Sequence, residues 1–239
     1  MKTNYKFHKE DKITVLTGAG ISAESGIKTF RDRDGLWENH RIEEVASPIA
    51  FSKNPEMVWK FYKQRYLQLA KVFPNSAHFA LKKLEDFSGS NFNLITQNVD
   101  GLHQIAGNQN VLEMHGSLRH CFCSKCLQSF EIKEIDLDQI IPKCTHCTGN
   151  LRPDIVWFGE MPYKMGIIDK ILENTKYLIV IGTSGIVYPA ARFLSIAKYF
   201  GAKAIEINLE YPLNSTVLDE FHQGKAGEML PELIERWIS

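Results

Sequence analysis

Four short apolar runs stand out along the chain: Ile13-Thr-Val-Leu-Thr17, Phe92-Asn-Leu-Ile-Thr96, Tyr177-Leu-Ile-Val-Ile-Gly182 and Ala202-Lys-Ala-Ile-Glu-Ile-Asn208. They are close to continuous, with little polar alternation, and so read as parallel strands covered on both faces. Between and after them, apolar residues recur at three- and four-residue spacing over 78–87, 189–200 and 229–238, which predicts amphipathic helices. This order of strand, helix, strand, helix implies an α/β fold with a parallel sheet, whose ligands gather in the loops at the C-terminal ends of the strands. Polar, glycine-bearing segments fall there: Gly18-Ala-Gly20, Gln97-Asn-Val-Asp100, Gly182-Thr-Ser184 and Asn208-Leu-Glu210.

Two stretches break the alternation. From 28 to 72 no strand signal appears, and a helix is expected to open with Asn54 as cap and Pro55 in its first turn, carrying Val58, Trp59, Tyr62, Tyr66 and Leu69 on one side. From 116 to 153 the chain holds every cysteine and little apolar pattern, as expected of a module that leans on a metal. No repeats or low-complexity segments occur.

Composition narrows the class. With 239 residues, 44% of them hydrophobic, the chain has enough for one large domain with a small one let into it. Twenty-eight basic residues balance 28 acidic ones, which removes the basic excess usual for nucleic-acid or membrane-surface proteins and favours small molecules or protein substrates. No apolar run approaches a membrane span and residues 1–12 lack a signal-peptide stretch, so a cytoplasmic location is expected. All five cysteines lie between Cys121 and Cys147, a clustering that points to a metal and away from a disulfide framework.

Cys123-x2-Cys126, seventeen residues, then Cys144-x2-Cys147 matches the spacing of a four-thiolate zinc site. Four protein ligands leave no position for substrate, so the zinc is expected to be structural, with Cys121 a bystander. Gly18-Ala-Gly-Ile-Ser-Ala23 after a strand matches a dinucleotide fingerprint in its Gly-x-Gly-x-x-Ala form, where glycines let backbone approach a pyrophosphate and amides point at the anion. No acid-ending second strand follows, so a standard dehydrogenase is disfavoured. Asn98 and Asp100 offer an amide and a carboxylate to a ribose. His115 is a candidate general base and His103 its equal on chemistry alone, while either could be a structural hydrogen-bonder. Tyr62 and Arg65 share a helix face and together could hold a carboxylate; on spacing alone, a packed Tyr beside an Arg reaching out to water explains them as well.

Taken together, these residues resemble the sirtuin family of NAD-dependent protein deacylases from about Ile13 to Leu230. The matching segments occur in the family's order: Gly18 to Gly26, Thr29-Phe-Arg31, Thr96-Gln-Asn-Val-Asp-Gly-Leu-His103, Met114-His-Gly116, the cysteine knuckles, Arg152-Pro153, Val156-Trp-Phe-Gly159, Gly182-Thr-Ser184 and Asn208. Ala46, Tyr62 and Arg65 look like the pocket of the class III desuccinylase and demalonylase branch. The resemblance implies a Rossmann-like NAD-binding domain from 1–27, 73–115 and 154–239, with a small domain built from a helical insertion over 28–72 and a zinc module over 116–153.

By the same resemblance, His115 is the catalytic base, with Asn98 beside it. NAD is expected against Gly18, Ala19, Gly20, Ile21, Ala23, Glu24, Phe30, Arg31, Trp37, Gln97, Asn98 and Asp100, and its adenosine side against Gly182, Thr183, Ser184, Asn208, Leu209, Glu210 and Ala226. Acyl-lysine protein or peptide would meet Ala46, Tyr62 and Arg65, and lie as an added strand between Val156, Phe158, Gly159, Glu160 and Gly185, Ile186, Val187. The implied reaction is NAD-consuming lysine deacylation that releases nicotinamide and O-acyl-ADP-ribose. A protein mono-ADP-ribosyltransferase and a non-catalytic NAD-sensing module are the alternatives, and neither nucleic acid nor membrane is expected as a partner. Lys28, where many members have proline, and Lys225-Ala226, near adenine, depart from the family pattern.

Overall fold

The computed structural model describes residues 5–28, 40–185, 188–211 and 217–239. Strand β1 (Ile13–Thr17) leads through a 3-10 helix (Ala19–Ser25) towards helices α1 (Ile42–Val45), α2 (Pro48–Lys53), α3 (Pro55–Leu69) and α4 (Ser76–Ser88). Strand β2 (Phe92–Thr96), helix α5 (Leu102–Ile105) and strands β3 (Val111–Glu113), β4 (Gly116–Cys123), β5 (Ser129–Glu131) and β6 (Leu151–Ile155) follow. The chain closes with α6 (Met165–Glu173), β7 (Tyr177–Ile181), α7 (Phe193–Tyr199), β8 (Lys203–Asn208), β9 (Glu220–Gln223) and α8 (Ala226–Ile238).

Six strands form one parallel sheet in the order β3-β2-β1-β7-β8-β9. All four strands expected from apolar runs lie in it. β1 and β7 are buried along their whole length, as continuous apolar runs require when helices cover both faces. Alternate residues feed two cores. Ile13, Val15, Ile179, Ile181, Ile205 and Ile207 pack with Leu81 and Leu84 of α4 and Leu230, Leu233 and Trp237 of α8. Leu16, Ile95, Leu178 and Val180 face Ile168 and Leu172 of α6 and Phe193 and Ala197 of α7. The short β3 and β9 escaped the sequence reading because neither carries an apolar run: β3 is half-buried throughout, and β9 reads Glu-Phe-His-Gln.

A second sheet, antiparallel in the order β5-β4-β6, makes the small domain together with α1–α3. Asn54 caps α3 as its spacing implies, its Oδ1 accepting from Met57 N–H at 3.1 Å. The cysteine module has a small core in which Cys121, Cys123, Cys144, Ile132 and Leu151 pack with Trp59 of α3, whose indole N–H donates to Leu151 O at 2.7 Å. β6 runs across position 153, where the zinc module was expected to end.

Helix α8 carries Pro231 in its second turn, which leaves the Gly227 carbonyl without its helical donor. The Ser76 hydroxyl at the start of α4 takes that place at 2.7 Å. At the same end, Glu24 Oε2 accepts from Gly227 N–H at 2.7 Å, so a residue expected among the cofactor contacts caps a helix. Replacing Ser76 by Ala removes that side-chain donor and should cost about 1–2 kcal/mol. Thermal denaturation checks this: a midpoint lower by about 2–4 °C per kcal/mol is expected, with the far-UV spectrum unchanged.

Candidate functional site

The sheet reverses its winding between β1 and β7, and the loops after these two strands meet there. Gly18 N–H donates to Ile181 O at 2.9 Å and Gly20 N–H to Gly182 O at 2.8 Å. A Cβ on Gly20 would sit 2.6 Å from Gly182 Cα, and one on Gly182, at φ +58°, 2.6 Å from Ile21 N. The glycines are therefore required by backbone packed on backbone. The Gly18 and Gly20 amides are spent inside the fold. What the contact produces is a crevice at the topological switch point, the place where open α/β sheets take dinucleotides.

Below the crevice lies a buried polar network. Asn98 Nδ2 donates to Ser22 Oγ at 3.1 Å, and Ser22 in turn donates to Asp100 Oδ2 at 2.8 Å. Asp100 also accepts from Leu102 N–H at 2.9 Å. Burial nonetheless pushes its carboxyl above the usual range. It braces Asn98 through Ser22. His78 Nδ1 accepts from Asn75 N–H at 3.3 Å, so its Nε2 carries the hydrogen and points at Ser22 Oγ, 3.5 Å away. Thr17 donates to Thr96 at 2.8 Å, which makes His103 Nε2 the donor to Thr17 at 3.0 Å. The two imidazoles lie 4.9 Å apart. Burial drives them down to about 4 for His78 and about 3 for His103, the latter also feeling His78. His103, buried and neutral, is thereby removed as a candidate base.

His115 sits on the crevice wall beyond β3. Its Nδ1 lies 3.1 Å from Gln97 O; a carbonyl only accepts, so Nδ1 carries the hydrogen and the Nε2 lone pair is the basic atom. Burial lowers its pKa, opposed by the Gln97 bond. Gln97 Nε2 reaches Thr183 Oγ1 at 3.1 Å, and Asn208 Nδ2 reaches Thr183 O at 2.7 Å. Polar groups from the ends of β2, β7 and β8 thus form a continuous row along the crevice. Ser184, Gly185, Leu209 and Glu210 are exposed at its rim, and Ala226, the first residue of α8, is buried.

On the small-domain side, Ala46, Tyr62 and Trp157 share one buried cluster with Val45, Phe61 and Leu118. The Trp157 indole N–H donates to the Tyr62 oxygen at 2.9 Å. Arg65 is half-buried with Phe61 under its guanidinium, 4.9 Å from the ring centre. Among the described residues its Nε and Nη1 are buried and without a hydrogen-bond partner. Phe158 N–H donates to Ala46 O at 3.0 Å and Val156 N–H to His115 O at 2.9 Å, while Gly159 and Glu160 continue past them on the surface side of the cluster.

The sulfurs of Cys123, Cys126, Cys144 and Cys147 lie within 4.8 Å of one another, with Cys123–Cys147 at 3.4 Å and Cys126–Cys144 at 3.7 Å. Tetrahedral Zn–S bonds of about 2.3 Å would place sulfurs about 3.8 Å apart, so the donor set fits zinc. Backbone N–H groups of Lys125 and Cys126 point at Cys123 Sγ and that of His146 at Cys144 Sγ, as knuckles require. Cys121 lies outside the cluster, buried, its thiol pushed up to about 12 by burial and by Asp154.

The Sir2 family signature matches residues 18–189, more than half of the chain. The chain belongs to the Sir2 family. It is 51% identical over 229 residues to a protein of Bdellovibrio bacteriovorus named NAD-dependent protein deacylase, covering 95% of this chain and 96% of that one. Among solved structures it is similar to a Sir2 homolog–NAD complex, at 42% identity and TM-score 0.86, with 97% and 96% of the two chains covered. It is similar also to a Sir2–p53 peptide–NAD+ complex, at 30% identity and TM-score 0.83, with 93% and 92% covered.

In this Sir2 chain, Phe30, Arg31 and Trp37 of the expected cofactor loop and Ile186 and Val187 of the expected peptide segment lie outside the described residues. Ile21 is fully buried beneath the turn, with Ala19 and Ala23 on the same 3-10 helix. Sequence reasoning did not single out Ser22, His78 or Trp157. A serine and a histidine in helical context give no local signal, and only the fold brings them to Asn98. Among the described residues no helix is long and apolar enough to cross a membrane.

Two outcomes follow for the Sir2 chain. Unfolded imidazoles titrate near 6.5, so between that value and about 4 the unfolded state takes up protons that folded His78 and His103 refuse. Stability is full above 6.5 and is lost as pH falls, by up to about 1.4 kcal/mol per pH unit per histidine. Thermal midpoints measured from pH 7 to pH 4 should decline, and His103→Asn should make the decline shallower. For the knuckles, Cys144→Ser should release zinc, measured by elemental analysis, and lower the thermal midpoint; a zinc-free variant as stable and active as the parent would remove the structural role.

Proposed function

We propose that this chain is an NAD-dependent protein-lysine deacylase that accepts acidic acyl groups, succinyl and malonyl, besides acetyl. Family membership and the names of relatives carry the general activity. One observation carries the acidic preference: the buried, unpartnered Nε and Nη1 of Arg65. A guanidinium is always charged and is all donor, and leaving such donors buried without an acceptor is costly. An arginine that merely reached for water would expose these atoms. A carboxylate at the end of an acyl chain supplies the missing acceptor, in bidentate form.

NAD would lie along the crevice, against Gly18 to Ala23 and Gln97, Asn98, Thr183 and Asn208, with its adenosine towards Ser184, Leu209, Glu210 and Ala226. When bound it supplies an electrophilic ribose carbon as nicotinamide leaves, which an acyl oxygen can capture. His115 does the proton work. Gln97 O fixes its tautomer and ring orientation, and the lowered pKa keeps Nε2 unprotonated and ready to accept near neutral pH. Asn98, held by Ser22 and Asp100, is an oriented amide beside it. Ala46 leaves room for the acyl chain, and Tyr62 lies on the same helix face as Arg65. A peptide would add as a strand between 158–160 and 185–187, with main-chain bonds giving affinity and little sequence preference.

His115→Ala should reduce deacylation by about 10²- to 10⁴-fold while NAD binding, followed by calorimetry, persists. A loss of only a few-fold would return the search to other bases. Arg65→Met should lower the succinyl-to-acetyl ratio of kcat/KM by about 30-fold or more on matched peptides. Equal losses on both peptides would make this a deacetylase whose Arg65 only supports the helix.

A further inference from the structure

Residues 155–160 touch every wall of the acyl side. Over three consecutive positions, Val156 N–H bonds His115 O, Trp157 Nε1–H bonds the Tyr62 oxygen and Phe158 N–H bonds Ala46 O, all at 2.9–3.0 Å. The base, the phenol and the small residue of the proposed site are thus tied to one segment that follows β6. Of the three ties, the middle one alone runs through a side chain.

That side chain is itself clamped. Trp157 is 2% exposed, with the Arg152 guanidinium stacked over it 3.6 Å from the ring centre. Arg152 Nη1 and Nη2 pair with Glu160 Oε1 and Oε2 at 2.8 and 3.0 Å, and Nη2 also bonds Ile155 O at 3.0 Å. Glu160 Oε2 closes the ring by accepting from Trp157 N–H at 2.9 Å. The pair is partly shielded, at 12% and 29% side-chain exposure, with planar bidentate geometry that holds orientation better than a lysine could.

An indole nitrogen only donates, so the Tyr62 oxygen is the acceptor in this bond, and its own hydrogen must point off the Trp157 axis. Burial raises the Tyr62 pKa, which keeps the phenol a neutral donor. An oxygen that accepts one hydrogen bond also donates a stronger one. We propose that Trp157 is a positioning residue for acyl selectivity: its indole N–H aims the Tyr62 hydroxyl at the acyl carboxylate paired with Arg65, and the Arg152–Glu160 pair holds the indole in place. This rests on the acidic-acyl reading above.

The test is a double-mutant cycle of Trp157→Phe and Tyr62→Phe, with Arg65→Met alongside, on matched succinyl- and acetyl-lysine peptides. Trp157→Phe keeps an aromatic ring under Arg152 and deletes the N–H. It should lower the succinyl-to-acetyl ratio of kcat/KM by about 3- to 10-fold, the size of one neutral hydrogen bond, mainly through KM for the succinyl peptide. Added to Tyr62→Phe, it should lower the ratio no further. A ratio unchanged by Trp157→Phe, or losses that multiply in the double variant, would overturn the role of Trp157. A selective Arg65→Met beside an unselective Trp157→Phe would sink this inference alone, whereas an unselective Arg65→Met would sink the acidic-acyl reading beneath it. Should Trp157→Phe fail to fold, Arg152→Lys decides: it loosens the clamp with the N–H in place, and should shift the ratio in the same direction by a smaller factor. An unshifted ratio there would count against the proposal.

Discussion

The site depends on two loops touching without side chains between them. Gly20 and Gly182 approach so closely that the N–H of one bonds the carbonyl of the other at 2.8 Å, and any Cβ would collide with backbone that cannot move aside. Because the loops follow β1 and β7, the strands at which the sheet reverses, their contact fixes the floor of the crevice. Everything functional is arranged from there. Gln97, Thr183 and Asn208 line up along the strand ends, Ser22 rises from the 3-10 helix to meet Asn98 and Asp100, and Glu24 carries the same segment on to the start of α8.

The crevice has two walls of different character. Its sheet side is a rigid polar lattice in which nearly every donor is matched with an acceptor, and neutral histidines are built into the foundation. The small-domain side is apolar around Ala46, Phe61 and Trp157, and among the described residues two nitrogens of Arg65 there are buried without a hydrogen-bond partner. A wall with matched donors orients a ligand of fixed shape. On the acyl reading proposed above, a cation in an apolar wall is the partner of a carboxylate. The zinc cluster stands behind this wall, where Cys123, Cys144 and Leu151 share a core with Trp59 of α3, so the metal supports the helix that presents Tyr62 and Arg65.

Much of this was legible in the sequence, for identifiable reasons. Continuous apolar runs made β1, β2, β7 and β8 readable because strands covered on both faces are mostly apolar. Paired cysteine spacing gave the metal cluster because thiolates at two-residue spacing can meet only at a knuckle. The glycine turn was legible, but the backbone packing behind it was not, since a sequence cannot say which backbone a missing Cβ makes room for. His103 and His115 looked equivalent until burial separated them. The bond between Ser22 and Asp100 gave no warning, because it acts across 78 residues of chain. Trp157 lay in plain view beside Phe158, yet its indole bond to Tyr62 spans 95 residues, a distance over which no pattern on either element gives warning.

The most direct measurement is nicotinamide release by the intact protein with NAD and a panel of peptides that differ only in the acyl group on one lysine. The account predicts release only when acylated peptide is present, one free lysine for each nicotinamide, and higher kcat/KM for succinyl and malonyl than for acetyl peptides. Nicotinamide released without loss of the acyl group, with ADP-ribose left on protein, would contradict it.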